Sequence, residues 1–237
     1  MRLRLPGVET DWHAVRERTL RVRAALTGRI RFDFSRTPSP LTPLTERELA
    51  EAEQQLGVVM PDGYRQFLLY VDSGGTGPVT MRRLSRGPGG WAWENDRETE
   101  LAALATPFPD QDSYEDRWEE HEAAQPPRSD ETAWAAWNQR GDALHQAQTA
   151  GAVYLSDDGC GFHTLLVCSG AERGNVWFDR RATSDDIVPL RNRDDTHASF
   201  TDFYLDWLDA AEQALAAKRG RVRRYEVRAP IYEGRFG

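Results

Sequence analysis

The sequence predicts an α+β fold, with helices first, then a hairpin-rich sheet, then a closing helix. Three observations carry this expectation. Residues 11–72 hold apolar positions three and four apart, with capping residues and glycine or proline stops between them. Residues 151–190 hold short apolar runs separated by glycine turns. Residues 199–217 return to a capped, amphipathic helical pattern.

The first helix is expected from about Asp11 to Leu26, within a segment 9–28. Trp12, Val15, Leu20 and Leu26 make its stripe, and Gly28 is placed to end it. Residues 37–43 carry Pro38, Pro40 and Pro43, so they form an extended connector rather than helix interior. Thr45 and Glu48 make a capping box that opens a second helix through Leu49, Ala52, Glu53 and Leu56 to Gly57. Pro61 belongs in the first turn of a third helix, where its missing N–H costs nothing. Tyr64, Phe67, Leu68 and Val71 give that helix one buried face, and Gly74-Gly75 lies in the sharp stop after it.

Val79 to Leu84 reads as a short strand. Residues 86–150 read as an irregular insertion, with one helix from Glu131 to Trp137 that extends toward Gln148. Strands are expected over 152–155, 162–168 and 175–179, with an edge strand over 187–190. Ser199 and Asp202 cap the last helix. Its core stripe is Phe200, Phe203, Tyr204, Trp207, Leu208, Ala211 and Leu215. This organisation is one domain over 1–217, followed by a basic tail over 218–237 in which a further strand is conceivable.

Charge is unevenly placed along the 237 residues, whose formal net charge is -8. Residues 1–36 carry nine basic and four acidic groups, and residues 218–237 carry seven and two. The remaining body, 37–217, holds 14 basic and 32 acidic groups, a net -18. The sign of that body argues against a broad nucleic-acid surface, whereas a basic protein partner suits it. Lys218 is the only lysine, so Schiff-base or Walker-type lysine chemistry would have to use it.

The N-terminal residues have no apolar stretch behind their positive charge, and the longest apolar runs fall far short of the ~18 residues of a membrane span. Cys160 and Cys168 form neither a disulfide framework nor a zinc pattern. The expectation is a cytoplasmic protein with no membrane contact, no metal and no cofactor; its oligomeric state stays open.

Residues 44–68 and the glycines after them carry a spaced pattern. Glu53 lies near a helix end, then come Leu56-Gly57, Pro61, Tyr64, Phe67-Leu68 and Gly74-Gly75. Gly159 and Gly161, the strand through Leu165-Leu166-Val167, Trp177 and the Ser199-Phe200 helix start follow in order. This combination resembles the SUKH superfamily, which includes fungal cell-wall-synthesis regulators and bacterial toxin-immunity proteins. The resemblance covers about 41–217, as a core of 41–85 and 151–217 with 86–150 matching poorly.

It implies a curved, mostly antiparallel sheet flanked by helices, and a non-enzymatic protein-binding module rather than an enzyme. It also implies neutralisation of a toxin by direct binding, with a regulatory scaffold in cell-envelope synthesis as the alternative. The motif residues Glu53, Leu56, Gly57, Pro61, Tyr64, Phe67, Gly74, Gly75, Gly159, Gly161 and Trp177 read mainly as fold-making, through turns and packing.

Candidate chemistry is sparse. There is no nucleophile elbow and no Walker A pattern. His121-Glu122 begins a zincin motif, but Gln125 stands where the second histidine belongs. Cys160, His163 and Asp158 form a nominal Cys–His–Asp trio, the one enzyme alternative. Asp110, Asp112, Glu115, Asp116, Glu119, Glu120 and Glu122 crowd one run with Tyr114 and Trp118, and Asp157-Asp158, Asp185-Asp186 and Asp194-Asp195 add pairs at loops. These residues make either a solvated acidic surface or a face that docks a basic toxin such as a nuclease, with the aromatics as anchors. Paired carboxylates for hydrolysis have no spacing that selects them. Trp91 and Trp93 are either a stacking pair or lid, or plugs for the sheet. The Arg219, Arg221, Arg223 and Arg224 tail either touches nucleic acid, pairs with the acidic body or frays in solvent.

Overall fold

The computed structural model describes residues 10–27, 40–78, 81–183 and 186–217. The expectations for Gly28, Pro38, the Leu26 side chain and the whole 218–237 tail lie outside the described residues. Among the described residues there are six helices, a two-stranded and a four-stranded sheet, both antiparallel: the α+β class the sequence predicts.

Helix α1 (Trp12–Thr27) opens where Asp11 accepts the Ala14 amide at 3.1 Å. Its buried stripe is Trp12, Val15, Thr19 and Val22, so Leu20, predicted to lie inside, instead faces out. The reason is the helical period: 12, 15, 19 and 22 share a face, and 20 is rotated about 100° from 19. The buried Thr19 hydroxyl is satisfied by Val15 O at 2.9 Å and the Tyr204 hydroxyl at 3.1 Å.

Helix α2 (Glu46–Leu56) carries the predicted reciprocal cap. The Glu48 amide donates to Thr45 Oγ1 at 3.2 Å, and the Thr45 amide to Glu48 Oε2 at 2.8 Å. Gly57 ends it in the left-handed region at φ 69°. Helix α3 (Asp62–Tyr70) starts one residue later than predicted: Pro61 is its N-cap rather than part of its first turn. Its extended ψ of 141° cannot continue a helix.

The predicted strand over 79–84 is corrected. Residues 79 and 80 lie outside the described residues, Met81 makes a single bridge to Gly75, and β1 (Leu84–Gly87) begins only at Leu84. It pairs with β2 (Gly90–Trp93) around Pro88-Gly89. The glycine-rich stretch taken for irregular chain is thus a hairpin turn. Two helices fill most of the rest of 86–150: α4 (Asp112–Ala123) and α5 (Glu131–Ala147). Helix α5 runs ten residues past Trp137, as the extension toward Gln148 anticipated.

The main sheet has the order β3 (Ala152–Gly159), β4 (Phe162–Val167), β5 (Val176–Asp179), β6 (Ile187–Pro189). Strand β3 is longer than expected. It runs with two bulges to a two-residue Cys160-Gly161 turn, flanked by the pair Gly159 and Phe162. Cys160 sits at φ 55°, between Gly159 and Gly161 at φ 87° and 80°.

Both faces of the sheet are covered. Val153, Leu155, Leu166 and Val176 join the large core with α1, α2, α3 and α6 (Phe200–Ala216). Ala152, Tyr154, Leu165, Val167, Trp177 and Ile187 form a second cluster with Phe108 on the other face. Two-sided burial is what the near-continuous apolar run of β4 requires. Burying such side chains contributes about 1.5–3 kcal/mol each.

Candidate functional site

The second face of the sheet carries the α4–α5 pair. The two helices meet closely at Gly141, where an added Cβ would lie 2.9 Å from His121 Nε2. The buried His121 ring stacks on Trp137 at 4.5 Å, and Trp137 Nε1 donates to His121 O at 2.8 Å. Tyr114 and His121, seven residues apart, are therefore the inward stripe of α4.

The neighbouring stripe of α4 is Glu115, Trp118, Glu119 and Glu122, at i, i+3, i+4 and i+7. It lines a groove of about 630 Å³. Arg181 and Asp186 of the β5–β6 connection and Ile187 at the start of β6 line it, and Gln111, His145 and Gln148 complete it. A stripe of this spacing normally buries apolar groups; here three carboxylates and one half-buried indole occupy it.

The base of the groove is a closed polar network. Arg181 donates to both Asp179 oxygens at 3.0 and 2.7 Å, to the Tyr154 hydroxyl at 2.9 Å and to His145 O at 2.6 Å. Burial alone would raise the Asp179 carboxyl, but the Arg181 bonds and charge prevail and hold it below its usual range. Burial acts against the Arg181 charge as well, and the same partners keep its pKa raised. Arg180 binds Asp186 through its Nε at 3.1 Å and a second, shorter contact. The cations and Asp186 are thus already paired. The carboxylates of Glu115, Glu119 and Glu122 have no hydrogen-bond or ion-pair partner among the described residues.

The structure divides the acidic residues singled out from sequence. Glu115, Trp118 and Glu119 line the groove, whereas Asp110, Asp112 and Asp116 are exposed outside its lining. Tyr114 is only 2% exposed and packs inward, so it offers no surface to a partner. Asp157 and Asp158 are not in the lining either. Asp157 accepts the Gly159 amide at 2.8 Å, and Asp158 accepts the Ser156 and Thr164 hydroxyls at 3.0 and 2.7 Å. Both carboxylates fix the β3–β4 turn region.

The nominal Cys–His–Asp trio is not assembled. Asp158 bonds the Thr164 side chain, while His163 stands edge-on to Tyr154 at 5.1 Å. Adjacent residues of a strand point to opposite faces, so the carboxylate and the imidazole are separated by the sheet. Trp91 and Trp93 are buried plugs: Trp93 Nε1 donates to the Tyr64 hydroxyl at 2.9 Å, and Gln55 bonds both backbone polar groups of Trp91.

The remaining motif residues hold the scaffold. Glu53 accepts the Met60 amide at 3.0 Å and pairs with Arg65 at 3.3 Å, which locks the turn through Leu56, Gly57 and Pro61. Tyr64 and Phe67 contact Phe200 at 5.0 and 5.4 Å, and Trp177 packs on Phe108 at 5.2 Å. Gly74 admits no side chain, since a Cβ would lie 2.4 Å from Arg82 O; Gly75, at φ 90°, turns back to pair with Met81.

Gln148, Arg181 and Ile187 of the groove were not legible as site residues. Glu122 belongs to the acidic run read from the sequence; its helical register with Glu115, Trp118 and Glu119 was not read there, because that stripe repeats in acidity rather than apolarity.

The arrangement defines an α+β scaffold with a two-sided sheet, a glycine-locked α2–α3 corner and a concave acidic groove on the sheet's second face. By sequence the chain belongs to the SMI1 / KNR4 family (SUKH-1), which it matches over residues 43–206. It matches no curated protein and no solved structure. Among the described residues no helix is long and apolar enough to cross a membrane, and no cluster of His, Cys, Asp and Glu could hold a metal ion.

Proposed function

We propose that the chain is a non-enzymatic, cytoplasmic binding protein that neutralises a basic toxin, such as a nuclease, by direct contact through the acidic face of α4. One observation carries this reading. The carboxylates of Glu115, Glu119 and Glu122 have no partner among the described residues and are gathered in a concave groove beside Trp118. The three glutamates are solvent-exposed, and the groove gathers them beside the half-buried indole. Membership of a family with immunity and regulatory members favours a protein partner. The excess negative charge steers a basic protein toward the face, while Trp118 supplies apolar contact. The other acidic positions, Asp110, Asp112 and Asp116, belong to the outer rim of this face and add to on-rate more than to affinity.

The test is growth rescue. Basic proteins encoded beside this gene are expressed alone and with the full chain, in its natural form and as Glu115→Lys/Glu119→Lys/Glu122→Lys. Rescue by the natural chain, abolished by the folded triple variant, is the expected outcome. Rescue that survives the charge reversal sinks the groove, and a cell-wall defect on deletion without any toxin sensitivity replaces immunity with envelope regulation.

A further inference from the structure

We infer that the groove reads arginine rather than positive charge in general: a partner segment inserts a guanidinium that stacks on Trp118 and forks onto the flanking glutamates. This rests on the partner-docking reading above and deepens it.

No cation among the described residues pairs with the groove glutamates. Within the groove Arg181 is bound to Asp179, and Asp186 is bound to Arg180. Three carboxylates remain, spread over about 10 Å of helix, with neighbours about 5–6 Å apart at their Cβ atoms. Covering them with an apolar surface would strip their water without replacement. Covering them with a carboxylate- or phosphate-bearing surface adds repulsion. The occupant is therefore cationic.

The choice between the two cations follows from Trp118. It lies between Glu115 and Glu119 in the same stripe, and it is half-buried. Its ring is held by the Gln148 side chain at 3.4 Å and by the edge of His121 at 5.7 Å. A fixed indole beside carboxylates suits a planar, weakly hydrated group that can stack and donate two parallel hydrogen bonds at once. An ammonium satisfies the charge but presents no plane. Guanidinium–aromatic contacts already occur here, with Arg117 of α4 4.8 Å from the Tyr114 ring centre and Arg128, in the loop before α5, 5.2 Å from that of Trp134. A groove of about 630 Å³ accommodates side chains of this size.

The test uses the full chain and three labelled helical peptides that differ only in one stripe, which carries arginine, lysine or glutamine. Fluorescence anisotropy reads their affinities. The arginine peptide is expected to bind at least about fivefold tighter than the lysine peptide, the scale of one cation–π contact. Trp118→Leu, which keeps apolar bulk, is expected to remove that difference. Glu115→Gln/Glu119→Gln/Glu122→Gln is expected to weaken both peptides by about tenfold or more. Thermal melts establish that each variant is folded. Equal affinity for arginine and lysine, or arginine selectivity that persists in folded Trp118→Leu, overturns the inference while leaving electrostatic docking intact. Arginine selectivity without any toxin rescue has the opposite meaning: the groove chemistry stands and the immunity reading falls.

Discussion

Arg181 ties the end of α5 to the sheet: its guanidinium donates to His145 O at 2.6 Å while it holds the Asp179 carboxylate of β5 at 2.7 Å. Both partners' side chains are nearly buried, at 6% and 5% exposure. One residue therefore sets where the helical pair sits over the sheet, and with it the shape of the groove.

Removing one member of a buried pair leaves the other charge without compensation. Arg181→Met is expected to cost about 3 kcal/mol of unfolding free energy in urea titrations. Hydrogen exchange is expected to rise first at the α5 C-terminus. Arg181→Lys is expected to restore little of this, because an ammonium cannot span Asp179, Tyr154 and His145 together. A loss below about 1 kcal/mol, within the range of exposed ion pairs, refutes the tether.

Asp179, Glu172 and Glu98 share a sign. Burial pushes each carboxyl up, but hydrogen bonds and cations outweigh it and leave each below its ordinary value. A carboxyl lowered by folding stabilises fully above its unfolded value and loses that contribution as pH falls through the folded one. Stability is therefore expected to be insensitive to these groups above about pH 5 and to drop below about pH 4. In Arg181→Met the acid slope is expected to be shallower, since Asp179 no longer has a cation to lose. Equal slopes in melts from neutral to acid pH count against the assignment.

Gly74 has φ 147°, and a Cβ there would meet Arg82 O at 2.4 Å and Arg83 Cα at 2.5 Å. The chain cannot relax cheaply, because the neighbouring Asp72 is fixed by the Thr42 and Ser73 amides and by Arg83 at 2.9 Å. Gly74→Ala is expected to destabilise by about 2 kcal/mol or more. A variant as stable as the natural chain in thermal unfolding would show that this close approach is not needed.

The two thiols are expected to behave oppositely. Cys160 is exposed at the hairpin tip, whereas Cys168 is buried and its thiol is pushed up to about 12 by burial. One equivalent is expected to react with a thiol reagent in the native protein, and the second only after unfolding. Cys160→Asn keeps the left-handed turn and is expected to leave stability and partner binding unchanged. Loss of binding in that variant would reopen a role for the thiol.

The last helix offers the simplest check on local readings. Ser199 Oγ accepts the Asp202 amide at 3.2 Å, and the Asp202 carboxylate returns a bond to the Ser199 amide at 3.1 Å. Ser199→Ala is expected to cost about 1 kcal/mol, read as a shift in the urea midpoint at constant slope. No shift would mean that the cap contributes nothing beyond what water supplies.

Local signals carried most of the fold. The caps at Thr45 and Ser199, the stop at Gly57 and the stripes of α3 and α6 depend on residues within a few positions of each other, and all five stand as the sequence implies. The β1–β2 hairpin and α4 were illegible because their signals are weak in the usual currency: a turn of glycines and proline, and a helix with an acidic stripe. Leu20 shows a related limit, since an apolar residue one position off the period reads as core until the partner surface is known.

The sequence by itself determined the class, the family corner from Glu53 to Gly75, and the concentration of negative charge in the body. Only the tertiary structure decided which acids could act together. It put Glu115, Glu119 and Glu122 in one groove, turned Tyr114 inward and tied Asp157 and Asp158 into the β3–β4 turn region. The groove also needs Arg181, Asp186 and Ile187, more than 50 residues along the chain from α4. Local sequence encodes periodicity and caps; it does not encode which carboxylates folding pairs and which it leaves open, because that depends on charges brought together from distant segments.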